Sequence, residues 1–258
     1  MATDKKYSIL TYNIGGYEIM HPIKCKSEIA EYIYVTDNKE LKSDDWTMVY
    51  VDNNNPADNF DLLWTIRYNP FVFVNTDVVM KIDGSMEIVG NTDELYNRFI
   101  EGDYNACVMI HPHRNTMLEE YSAWIQLRQY PIEQANKCLG YMAAMEGYDI
   151  EKFKGLYQYN FMIQRNDRYN RNWNSMTYAL LKYLAPINKE VDRLDQTIGS
   201  FVLNKYFDDG KIMPVSQEII RGKYFNWCAH KTKLKMNVPS PTIEPYLFNK
   251  PVDNIIED

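Results

Sequence analysis

The 258-residue chain has no closely spaced cysteine pair. Cys25, Cys107, Cys138 and Cys228 lie far apart without a CxxC, which removes a zinc knuckle or a disulfide framework from consideration and fits a reduced setting. A run of about 18 apolar residues, the least that a membrane-crossing helix needs, is missing. The opening MATDKKYSILTYN carries no apolar signal core, so we expect a cytoplasmic protein with no transmembrane segment. Neither GxGxxG nor GxxxxGK[ST] occurs. The glycine turn NIGGYE at 13–18 can approach a nucleotide closely, but dinucleotide and P-loop readings fail. Positive charge is also short: 28 Lys and Arg against 35 Asp and Glu give a net charge of −7 and a pI near 5.2, which argues against a broad, non-specific nucleic-acid binder.

What the chain does have is apolar content, 45%, enough to bury a core, and an excess of aromatics in 21 tyrosines and 5 tryptophans. Such side chains divide between core and clefts that stack on flat ligands. One stretch departs from the acidic balance. RGKYFNWCAHKTKLK, Arg221 to Lys235, holds five basic residues and no acid, as either a phosphate-facing patch or a solvated face.

Apolar runs alternate with helical stretches. Strands are expected at 7–12, 30–36, 46–52, 78–83, 86–89, 105–110 and 157–164, and helices at 56–69, 116–129, 132–146, 168–184 and 191–206. A further helix after Asn91 has the Asn91–Glu94 spacing of a loose capping box. This alternation predicts a single α/β domain over 1–235, a mostly parallel, Rossmann-type sheet flanked by helices, followed by an extended proline-containing tail at 236–258.

In such sheets ligands bind beyond the carboxyl ends of the strands. That rule selects Asn13, Asp37, Asp83 and His111. Asp83, followed by Gly84 and Ser85, exposes a carboxylate at a tight turn, which suits a hard cation shared with a substrate diphosphate; the plainer reading is a hairpin turn. His111-Pro112-His113-Arg114 brings imidazole, a base or ligand near neutral pH, beside a guanidinium suited to phosphate or sugar hydroxyls. Asp195-Gln196 opens a helix, where an acid also simply complements the dipole.

These residues, in this order, resemble a family of glycosyltransferase-like proteins found in bacteria and as the plant mucilage-related and turgor-regulating glycosyltransferases, related to GT-A type enzymes. The similarity runs from about Tyr7 to Phe207 through YSILTYNIGGYE, IYVTDN and Trp46, then IRYNP, TDVVMKIDGSMEI, HPHRN and RLDQ. It implies a GT-A-like fold and a Mn²⁺- or Mg²⁺-assisted transfer of sugar from a nucleotide-diphosphate sugar to a hydroxyl acceptor, a glycan or polysaccharide precursor. Under it, Thr11, Asn13 and Asp37 bound the nucleoside pocket and Arg67 faces the diphosphate or base. Asp83 holds the metal, with Ser85 where a strict DxD has its second aspartate and with Asp77 or His230 as further contributors. His111 and Arg114 sit near donor sugar or acceptor, Asp195 is the base, and Gln196 hydrogen-bonds the sugar.

Two other readings compete. DNA is the acceptor if the 221–235 segment grips phosphates, as in phage-type base glucosylation. A catalytically inactive nucleotide-sugar or glycan-binding module also fits the incomplete DxD. Under the enzyme reading, Trp227 and its basic neighbours form a lid or acceptor-side wall that can be deleted without harming the fold.

Overall fold

The computed structural model describes residues 4–54, 59–128, 130–145, 147–150, 155–184 and 195–228. His230, Arg193, Lys231, Lys233, Lys235 and the 236–258 tail lie outside them.

Strands β1 (Tyr7–Asn13) and β2 (Ala30–Thr36) are apolar or tyrosine-rich and buried almost throughout, the signature of parallel strands covered on both faces. β3 (Thr47–Tyr50) is more exposed and lies at the edge; its expected first residue, Trp46, is buried just before it. With β4 (Val78–Ile82), β6 (Ala106–Ile110), β7 (Tyr157–Arg165) and β8 (Ile212–Val215) they form one sheet in the order β3-β2-β1-β4-β7-β6-β8. β7 alone runs against the others, antiparallel to both β4 and β6. The fold is thus α/β with a mostly parallel seven-stranded sheet, as expected. β5 (Met86–Ile88) leaves this sheet and pairs with β9 (Phe225–Trp227) in a two-stranded ribbon.

One face of the sheet packs the side chains of Tyr7, Ile9, Met80, Ile82 and Phe161 against α2 (Asp93–Glu101), through Leu95 and Phe99, and against Phe225 of β9. The other face is covered by α1 (Asn59–Tyr68) over β1, β2 and β4, and by α3 (Met117–Arg128), α4 (Ile132–Ala143), α5 (Arg168–Leu184) and α6 (Asp195–Tyr206) over β6 and β7. Asp61 ties α1 to α5, accepting from Lys182 Nζ at 2.6 Å and Tyr178 Oη at 3.0 Å.

Two expectations change. Glu94 forms no capping box with Asn91, because its carboxylate accepts from Tyr224 Oη and pairs with Lys223; Asn91 instead accepts from the Asp93 N–H. The reciprocal box is Thr116 with Glu119, each side chain accepting the other's N–H at 3.1 Å. Nor is the segment after 220 separable, since Tyr224 and Phe225 are core residues.

Candidate active site

β1 has β2 on one side and β4 on the other, so the chain winds away from it in both directions. At such a switch point a crevice opens beyond the carboxyl ends of the strands. A cavity of about 740 Å³ lies there, lined by Tyr12, Asp83, His111, Trp124, Asp195 and Trp227 among others.

Arg67, in the last turn of α1, projects into this cavity. Its Nη2 donates to Asp83 Oδ1 at 2.7 Å, its Nη1 to Asp195 Oδ2, and its Nε to Tyr12 Oη at 2.5 Å. One guanidinium therefore joins residues from α1, β1, the β4–β5 turn and the start of α6. The other oxygen of Asp195, Oδ1, accepts from the Gln196 N–H at 2.8 Å. Beneath Arg67, the buried Lys81 donates to its carbonyl at 2.9 Å, and burial, followed by the Arg67 charge, pushes the lysine pKa well down.

The Asp83 turn is tight. Met86 N–H returns to Asp83 O, while Asp83 N–H bonds Asn160 O of β7. Gly84 is required by proximity, as a Cβ there would lie 2.9 Å from Tyr12 O and 3.0 Å from Glu18 Cγ. The 13–18 loop is closed by the Asn13 amide, which bonds both the N–H and the carbonyl of Glu18. Gly15, at φ +72°, donates its N–H to Asp37, a left-handed conformation suited to glycine. Asn13 thus lines the cavity, whereas Asp37 braces the loop from outside it. Thr11, buried in β1 with no hydrogen-bond partner for its hydroxyl, is also absent from the lining. Asp77 stands at the opposite end of β4 from Asp83, too far to share a ligand with it.

A second polar group forms the far wall. Glu120, on α3 just after the capping box, is 3% exposed. It accepts from Arg114 Nε, Trp124 Nε1 at 2.7 Å and Gln196 Nε2 at 3.0 Å. His111 Nδ1 accepts from the N–H groups of His113 and Arg114, and its Nε2 stands 3.0 Å from Arg114 Nη2 and 3.8 Å from Glu120 Oε2. Burial, with the positive charge of Arg114 added, lowers the His111 pKa from 6.5 to about 3, so the ring is neutral at pH 7. His111 therefore shapes the Arg114 loop. In sequence Glu119 and Glu120 are alike, two acids that start the helix after Arg114, and nothing local marks Glu120 as the one that lines the cavity.

Four carboxylates (Glu18, Asp83, Glu120, Asp195) face two guanidiniums (Arg67, Arg114) around the cavity. A diphosphate entering this field calls for an accompanying cation. Among the described residues no three His, Cys, Asp or Glu converge. A hard cation beside the Asp83 turn would have Asp83 and, next to it in the lining, Ser85 as its protein donors, with substrate oxygens for the rest. Of the basic segment, Lys223 is paired with Glu94 and Trp227 reaches the cavity from β9. Among the described residues no helix is long and apolar enough to cross a membrane. No protein-family model matches this chain, and no curated protein matches it in sequence.

Proposed function

We propose that this cavity binds a nucleotide-diphosphate sugar and transfers its sugar to a hydroxyl acceptor. The observation that carries the reading is Arg67, a permanent cation at the strand switch point that holds both Asp83 and Asp195. A diphosphate competes for that guanidinium and releases the two carboxylates. Asp195, freed at Oδ2, accepts the proton of the acceptor hydroxyl, whose oxygen forms the new bond to the anomeric carbon as the bond to the β-phosphate oxygen breaks. Arg67 stays against the departing diphosphate. A Mn²⁺ or Mg²⁺ ion held by Asp83 would supply further charge neutralisation to the leaving group. Tyr12, Tyr17, Phe60, Trp64 and Trp124 provide flat surfaces for a base or sugar ring.

The engagement of both Asp195 oxygens by protein donors favours a second reading, a binding module that performs no transfer. Release of nucleoside diphosphate from a panel of nucleotide sugars in the presence of Mn²⁺ separates the two. Turnover that falls about 10²- to 10⁴-fold in Asp195→Asn supports transfer; binding without turnover supports the module.

A further inference from the structure

β7 breaks its own alternation beside the cavity. Its pairing with β6 passes from Val108↔Met162 directly to Met109↔Gln158, leaving Tyr159, Asn160 and Phe161 without partners on β6. Phe161 and Ile163 pack on one face of the sheet, while Tyr159 and Met162 pack on the other. A bulge of this kind turns side chains that a regular strand would point elsewhere, and three consecutive residues, Gln158, Tyr159 and Asn160, line the cavity as a result. The bulge is held in place: Asn160 O accepts from Asp83 N–H, and Gly199 of α6 leaves room for the Tyr159 ring, since a Cβ there would come within 2.7 Å of it.

Gln158 Oε1 and Asn160 Oδ1 are buried and have no hydrogen-bond partner. Folded proteins rarely leave such atoms unmatched. Exchanging O and N in either amide would put an unmatched N–H₂ at the same place, so a partner is wanted under both assignments. An ionised phosphate only accepts, so it cannot match the amide oxygens; hydroxyls, which donate and accept, complement amides at both ends.

We propose that Gln158 and Asn160 form a sugar-hydroxyl subsite that determines which hexose the cavity accepts. This rests on the nucleotide-sugar reading above, and it adds two residues of β7 to the specificity of the site, next to the Asp83 turn.

The test is titration calorimetry of the whole chain with Mn²⁺ and five nucleoside diphosphates (uridine, guanosine, cytidine, adenosine, thymidine), each alone and as its hexose conjugates. Wild type should bind one conjugate about tenfold or more tightly than the matching diphosphate. Gln158→Met and Asn160→Leu should keep the diphosphate affinity, lose that increment, and melt no lower than wild type, because an unmatched buried amide is replaced by an apolar group of similar shape. If either melts lower, Gln158→Ala and Asn160→Ala carry the same comparison. An increment kept in every variant overturns the subsite and leaves a water as the partner of the amides. A wild type that binds a diphosphate but gains nothing from the hexose overturns it as well, with the nucleotide site intact. A wild type that binds neither removes the nucleotide-sugar reading and this inference together.

Discussion

At Arg67 one guanidinium serves three oxygen atoms, on Tyr12, Asp83 and Asp195. Lysine carries its three donors on a single nitrogen and lacks the planar fork that reaches three separate oxygens. Arg67→Lys should therefore destabilise the fold by about 1–3 kcal/mol in urea unfolding, the usual worth of hydrogen bonds to charged groups, and weaken nucleoside diphosphate binding at least tenfold by calorimetry. Unchanged binding in a stable Arg67→Lys protein would show that the guanidinium serves the fold alone. His111 gives a second residue-scale outcome. Its pKa is lower folded, about 3, than the ordinary 6.5, so below pH 6.5 the unfolded chain takes up a proton that the folded one does not. Its stabilising effect is complete above pH 6.5 and is lost as pH falls toward 3, with a slope approaching about 1.4 kcal/mol per pH unit. His111→Gln should flatten that part of the stability profile relative to wild type. Parallel profiles from pH 7 to 4 would contradict the buried, neutral assignment.

Among the elements, the β4–β5 turn and the end of β9 bring Asp83, Gly84, Ser85 and Trp227 to the cavity lining. Gly84→Ala must push the turn off Tyr12 O or Glu18. We expect a loss of about 1–3 kcal/mol, typical of overpacking, together with reduced diphosphate binding, since Asp83 moves with the turn. Trp227, at the end of β9, lines the cavity and also packs against the core, so Trp227→Ala should lower the melting temperature and, in protein that remains folded, reduce transfer more than tenfold. Truncation after 220 should instead fail to fold, because it removes Tyr224 and Phe225 from the core. β1, β2 and β4 were legible in sequence because buried parallel strands are continuous apolar runs. β9 was not, for its three residues sit inside a basic stretch. The reversed direction of β7 was equally hidden, as alternation carries no sign of direction, and its bulge depends on packing against β6 and α6. Asp83, His111, Arg114 and Asp195 were found as polar residues at the ends of elements, which the fold gathers at one place. Glu120, Gln158 and Asn160 lie within elements and become visible only through what surrounds them.

For the molecule as a whole, net charge and function meet in one requirement. A protein of charge −7, with more carboxylates than guanidiniums around its cavity, should bind a nucleoside diphosphate only when a divalent cation comes with it. Saturating ligand with Mn²⁺ should raise the melting temperature, by the equivalent of about 2.7 kcal/mol at 100 times Kd, and chelation should abolish the gain. The most direct test of the account is calorimetric titration of the preferred nucleoside diphosphate into wild type and Asp83→Asn, with Mn²⁺ and with chelator. The account predicts binding by wild type with Mn²⁺ and its loss in the other three combinations. Equal affinity in wild type and Asp83→Asn, or binding unaffected by chelator, would contradict it.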